Sequence, residues 1–407
     1  TTTFLFGTET FLFRTQMFLF KTEKFLFQTR TFWFKTGIFA FRTQKARLCA
    51  QEAQPCNQAL RPKDAPGRAA PRDLSFLMGR FAKFRAIIST SIQPGIHPGE
   101  KMIMILFICV GFLSAVLWVD LKFDWLAVPY RGQPGILPED VLSPMTYFYR
   151  YVTGKPVAVA AAMILIVTTL VMEIAQATVP AWMAWTSLVV FVVVAVRSSI
   201  LVIPTARRFG QRTDTPAEQT RLAHTLLGMH MFAFVLLLLV GALQLCATWH
   251  PSSILLDAKN MTMILFICVG FVIAIGWISL KFDLLAVPYR GKPGPLPEEV
   301  LAPIALFHRY LKSALQLGAA IVLILLILII EVVLGSVPGW VAWISLVLFG
   351  AGLAVPVTII RSARRLGARV DSLEKQTGLA HGLFPGHLFA FVMILVVGML
   401  QLYAAWH

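Results

Sequence analysis

Eight stretches of about twenty residues in this chain carry almost no charge, and that pattern leaves few folds open. They lie near 102–119, 157–178, 180–203, 228–249, 261–280, 314–335, 338–360 and 386–406. A helix needs roughly twenty apolar residues to cross a hydrocarbon core about 30 Å thick. Within lipid the backbone must satisfy its own hydrogen bonds, and runs of this length specify helices rather than barrel strands. Charged residues make up 14% of the chain, against about 25% in soluble domains. The expectation is an all-α integral membrane protein whose partner is the lipid bilayer.

Internal repetition divides the eight spans. MILFICVGF at Met104–Phe112 returns at Met263–Phe271, and LKFDWLAVPYRGQPGILPEDVL from Leu121 returns as LKFDLLAVPYRGKPGPLPEEVL from Leu280. VPAWMAW at Val179 matches VPGWVAW at Val337, and ARRFGQRTD at Ala206 matches ARRLGARVD at Ala363. The copies close on ATWH at His250 and AAWH at His407. Self-similarity on this scale implies duplicated structural units. The expected organisation is two tandem four-helix transmembrane bundles, 102–250 and 261–407, joined by a linker at 251–260. That join is compatible with a true fusion or with two adjacent genes read through. An even span count makes the copies parallel, related by an axis along the membrane normal. Such a chain forms an internal pseudo-dimer or a homo-oligomer.

Basic residues orient the bundles. In the first copy the segments after spans one and three carry nine Lys and Arg, and the loop between spans two and three carries none; the second copy gives ten against none. By the positive-inside rule the long basic loops are cytoplasmic and both ends of each copy lie outside, in a bacterial inner membrane. Trp182, Trp185, Trp340 and Trp343 read as an interfacial aromatic belt at the outer ends.

Residues 1–100 break this scheme. They hold 15 Lys and Arg against six Asp and Glu, yet the topology puts them outside. From Phe4 to Lys45 a seven-residue Phe/Thr unit recurs six times. In a helix its apolar positions spread over about 200° instead of forming a stripe, and in a strand an odd period sends successive pairs to opposite faces. A seven-codon unit is a tandem DNA repeat in its own right, and Met102 and Met104 stand just before the first span. The segment is expected to be disordered or not natively translated. The alternative is a genuine basic arm, able to contact anionic lipid or single-stranded nucleic acid; nucleic acid is not an expected partner of the protein as a whole.

Chemistry is sought among polar residues that recur in both copies, because placing them in a membrane is costly. On a helix His230, Gly241 and Gln244 share one face, as do His387, Gly398 and Gln401, and that face is expected to turn inward. His224 and His381 do not share it. Asp124 and Asp283 close span one, where pairing with Lys122, Lys281 or the Arg207–Arg208 and Arg364–Arg365 clusters is the ordinary expectation. Glu173 and Glu331 end span two, shallow enough to reach water. The PYRGxPGxLPE turn leads to an amphipathic helix opened by Pro138 or Pro297, with Tyr147, Tyr149, Tyr151, Phe307, His308 and Tyr310 expected to seat it at the headgroups. Cys109 and Cys268 are packing thiols, and neither a zinc pattern nor a disulfide framework is present.

With its FD at span one (Phe123, Asp124; Phe282, Asp283), its LPExVL segment and its ARRxG loop leading to a span-four histidine, the repeat resembles uncharacterised four-span bacterial membrane proteins. It is also similar, more loosely, to anthrone-oxygenase-like membrane proteins, which implies a comparable span count but supplies no catalytic residue. There is no P-loop, nucleophile elbow or HExxH, which argues against ATP use and soluble-type hydrolysis. The leading expectation is a non-enzymatic protein that binds or moves a small hydrophobic or ionic ligand, with no cofactor. A membrane oxidoreductase using His230 and His387 on a quinone, an aromatic substrate or haem is the first alternative, and a structural or assembly role the second. Protein expressed from residue 1 in a bacterial membrane is expected to show an intact mass beginning near Met102; the full 45.2 kDa would establish the arm as real.

Overall fold

The structure, a computed structural model, describes residues 98–154, 157–248, 258–311 and 315–406, all within the compact unit Leu74–His407. The heptads and residues 251–257 of the expected linker lie outside the described residues. In the first sequence copy α1 (Pro98–Asp124) runs into a 3-10 turn (Trp125–Tyr130), followed by α2 (Glu139–Val152) and α3 (Val157–Gln176). Next come α4 (Ala181–Arg197), a π turn (Ser198–Val202), α5 (Ile203–Gln211) and α6 (Pro216–Thr248). The second copy supplies α7 (Ala258–Asp283), a 3-10 turn (Val287–Tyr289), α8 (Glu298–Leu311), α9 (Leu315–Leu334), α10 (Gly339–Ala368) and α11 (Leu373–Trp406). Every regular element among the described residues is helical, and eight helices are long and apolar enough to cross a membrane. The chain has the build of a multi-pass membrane protein.

The π turn has a readable cause. Between Val179 and Ala206 the first copy holds one residue more than the second holds between Val337 and Ala363. One extra residue in a helix is accommodated by widening a single turn. The second copy, without it, runs through α10.

Span four is longer than its apolar run: α6 opens at Pro216 and α11 at Leu373. The polar extension docks the loop before α2 or α8, since Thr220 Oγ1 accepts from Leu137 N and Thr377 Oγ1 from Leu296 N, both at 2.9 Å. The ARRxG glycines complete the same end. A methyl at Gly210 would lie 2.6 Å from Arg150 N, and one at Gly367 would lie 2.8 Å from Arg309 N, so only glycine lets α5 and α10 touch the backbones of α2 and α8. Arg212 and Arg369 then end their helices in the left-handed conformation, and their guanidinium groups pair with Glu139 and Glu298 at the starts of α2 and α8.

The apolar faces of the amphipathic helices, expected to meet headgroups, are buried in the protein. Val141, Leu142, Met145, Phe148, Tyr149 and Val152 form the buried stripe of α2, and Leu301, Ile304, Phe307 and His308 that of α8. Their apolar faces turn into the protein because the ends of α1 and α7 offer a matching apolar surface, with Phe123 stacked on Phe148 at 4.0 Å and Phe282 on Phe307 at 4.3 Å.

The closest helix pair is α1 with α7, the first span of each copy, and their contacts are reciprocal. A methyl at Gly111 would lie 2.1 Å from the Ile267 carbonyl oxygen, and one at Gly270 would lie 2.0 Å from that of Ile108. Phe112 meets Trp277 at 5.8 Å and Trp118 meets Phe271 at 5.7 Å. Phe123 meets Tyr310 at 5.5 Å and Tyr151 meets Phe282 at 6.2 Å. Each contact is answered by the one with the two copies exchanged, the signature of an isologous interface. Helices this close gain dispersion and Cα–H···O contacts that lipid cannot supply.

Gly111→Ala and Gly270→Ala should each lower the unfolding free energy of the detergent-solubilised protein by about 2 kcal/mol or more, because backbone rather than a mobile side chain must give way. Gly228→Ala, with nothing within 4 Å of the added methyl, should instead be neutral or stabilising by up to about 1 kcal/mol through helix propensity. Equal effects at all three glycines would contradict the close-approach reading.

Candidate functional site

The C-terminal turn of α1 carries two carboxyl groups one helical turn apart, Asp120 and Asp124, and α6 crosses it at His230. Asp124 is fully buried and His230 is 2% exposed. His230 Nδ1 lies 2.6 Å from Asp124 Oδ2, and the Tyr149 hydroxyl on α2 donates to Asp124 Oδ1 at 2.5 Å. The Tyr149 ring lies nearly parallel to the imidazole, 5.9 Å away, and His230 Nε2 faces Asp120 Oδ2 at 3.8 Å. Burial first, then the adjacent Asp124 and Asp120, push the Tyr149 phenol well above its ordinary value, which keeps it a donor. Both oxygens of Asp124 therefore have partners inside the protein, as a buried carboxyl group requires.

The second copy builds the same centre with two replacements. Asp283 and His387 keep their roles, with His387 Nδ1 2.5 Å from Asp283 Oδ2. His308 stands where the first copy has Tyr149, and Ser279 where it has Asp120. His308 Nε2 faces Asp283 Oδ1 at 3.5 Å, an ion-pair distance without an aligned hydrogen bond, and neither atom has a second partner among the described residues. The two imidazoles lie nearly parallel, 5.5 Å apart. Burial pushes His308 below its ordinary value, against the pull of Asp283, and so favours the neutral ring.

Beside each centre is a cavity. In the first copy it holds about 80 Å³, lined by Leu117, Asp120, Met163, His230 and apolar neighbours. In the second it opens to about 550 Å³, lined by Gly276, Ser279, His308, Arg364 and His387 within an otherwise mainly aliphatic wall. The equivalent positions explain the difference: Leu117 becomes Gly276, Asp120 becomes Ser279 and Met163 becomes Ile321.

The span-two acids are buried as well, each beside the span-four glutamine of its own half. Glu173 and Glu331 are each 1% exposed, so the expectation that they reach water is wrong. Although near the ends of α3 and α9, they point inward at span four. Gln401 Nε2 donates to Glu331 Oε2 at 3.0 Å and to Ser345 Oγ at 3.2 Å. In the first copy Glu173, Gln244 and Ser187 are equally buried, and Gln244 faces Glu173 without an aligned hydrogen bond.

The inward face of span four was legible: His230 and Gln244 are buried, and methyl groups at Gly241 and Gly398 would meet Val110 and Val269 of α1 and α7. The expected pairing of Asp124 and Asp283 with lysine or arginine is wrong. Lys281 instead donates to the Val152 carbonyl at 3.0 Å, and Arg208 and Arg365 pair with Asp214 and Asp371. Long basic side chains reach the aqueous end more readily than the buried crossing, and imidazole fits there. Sequence reasoning missed Tyr149 and His308, although both fall on the apolar stripe of their helices, and Asp120, which shares a face with Asp124. His224 and His381 stay apart from both centres.

Fold and site together define a multi-pass helical membrane protein with buried carboxyl–imidazole centres at the ends of two of its spans. Compared with protein-family models, curated proteins and solved structures, the chain finds no match.

His230→Ala leaves Asp124 buried with Tyr149 alone and should destabilise the protein by about 3 kcal/mol, measured by unfolding in detergent. His224→Ala, away from the centre, should cost less than about 1 kcal/mol. A silent His230→Ala would contradict the pairing.

Proposed function

We propose that this chain is an integral membrane protein of two tandem, parallel four-span units, and that it binds a small, mainly apolar ligand with an anionic or polar head in its second unit. The observation that carries the reading is the cavity of about 550 Å³ beside His308, His387 and Arg364. Ligand pockets are characteristically chambers of this size, with aliphatic walls and a few convergent polar groups. The aliphatic wall suits the body of the ligand, and Arg364 with the two imidazoles suits its head. The reciprocal α1–α7 contacts support pairing of the units within one chain, as an internal pseudo-dimer. The basic loops are cytoplasmic on this reading, and the bilayer is that of a bacterial inner membrane.

The smaller first-unit chamber has room for only a few waters, so binding is asymmetric. Haem held between His230 and His387 gains no support: each Nδ1 lies on the aspartate of its own unit, and His230 Nε2 faces Asp120.

Anilinonaphthalenesulfonate, an aromatic body with an anionic head, is a suitable probe. Titrated into the detergent-solubilised protein, it should give a saturable fluorescence increase. Gly276→Leu, which installs the residue of the first unit and presses on Phe391, 2.9 Å from an added methyl, should abolish most of it. An unchanged titration in that variant would overturn the reading.

A further inference from the structure

The two centres differ in a way that packing does not require. In the first, tyrosine closes the aspartate: a donor occupies Asp124 Oδ1 and an imidazole occupies Oδ2. In the second, histidine replaces that tyrosine, and the exchange leaves Asp283 Oδ1 and His308 Nε2 buried and held only by a long, misaligned contact of 3.5 Å with each other. Their side chains are 0% and 4% exposed. So loose a contact between two buried polar atoms calls for an explanation, because it returns less than the hydrogen bonds each had in water. One ligand atom from each of Asp283, His308 and His387 lies within 4.8 Å of the others. That spacing lets modest side-chain rotation close the three around one ion, with metal–nitrogen and metal–oxygen bonds of about 2.0–2.2 Å.

We propose that Asp283, His308 and His387 form a binding site for a single first-row divalent metal ion, and that the Asp124–Tyr149–His230 centre of the first repeat forms none. Two imidazole nitrogens and one carboxylate oxygen are the donor set preferred by Zn²⁺, Co²⁺ and Fe²⁺, whereas Mg²⁺ and Ca²⁺ favour oxygen alone. Three protein ligands leave coordination positions open. His308 and His387 also line the 550 Å³ cavity, so an ion they hold stands at its wall and the cavity is its entry path. In the first repeat the phenol is held protonated and already donates to the aspartate. The site stands on these three side chains and does not depend on what fills the cavity.

The test is a titration of the full-length detergent-solubilised protein with Co²⁺, followed by visible absorption. The expected result is a saturable signal that includes one site per chain, displaced by stoichiometric Zn²⁺ but not by millimolar Mg²⁺. His308→Tyr, which installs the first repeat's residue, should weaken that site by roughly a hundredfold or more, since even outer-shell partners of metal ligands contribute 10–100-fold. Asp283→Asn, similar in shape, should do the same, and thermal unfolding of both variants separates loss of the site from loss of the fold. Tyr149→Phe should leave binding unchanged. The proposal is overturned if folded His308→Tyr or Asp283→Asn binds Co²⁺ like the wild type, or if no saturable site exists. Failure of the Gly276→Leu dye experiment, with Co²⁺ binding intact, would remove the ligand reading and leave the metal site standing.

Discussion

The α1–α7 crossing sets the geometry of everything else in the described chain. Gly111 and Gly270 bring two backbones within van der Waals reach, each against the carbonyl of the other copy's isoleucine. Lipid chains solvate leucine and isoleucine as well as a neighbouring helix does, so an apolar face alone gives little reason for two spans to associate. Surface that only close approach creates does give one. Once the two first spans are fixed, their ends hold Phe123 and Phe282 where α2 and α8 stack on them, and the remaining spans pack around this central pair.

The same arrangement makes the buried polar centres tolerable. Asp124 and Asp283 end their spans at a depth where an unpaired carboxyl group is expensive. Span four passes beside them, its polar extension anchored on the loops before α2 and α8, and so presents His230 and His387 at hydrogen-bond distance. The glycine of each ARRxG segment, in the last turn of α5 or α10, holds α2 or α8 against the same end, which delivers the third member, Tyr149 or His308. Motifs distant in sequence, KFD, LPExVL, ARRxG and the span-four histidine, thus converge on one point in each copy.

The two halves that share these sequence motifs differ most around their buried centres. Small residues replace larger ones around the second centre, Gly276 for Leu117 and Ser279 for Asp120, and the cavity grows from about 80 to about 550 Å³. The first copy carries an extra residue, absorbed as a π turn beside its own smaller chamber.

Helix class and the number of helices long and apolar enough to span a membrane were legible in the sequence, because hydrophobic length is a property of the chain itself. So was the inward face of span four, since His230, Gly241 and Gln244 fall together by helical period alone. What the aspartates pair with was not legible: charge counting offered arginine and lysine, and only the packing of span four against the end of span one decided for imidazole. Nor did period show whether the apolar stripe of α2 and α8 meets lipid or protein, because both are equally apolar; the ends of α1 and α7 settled it. The larger cavity is further still from the sequence, because it is the space left between five helices, α7 to α11. Single exchanges such as Leu117 to Gly276 acquire meaning only when the opposite wall is known.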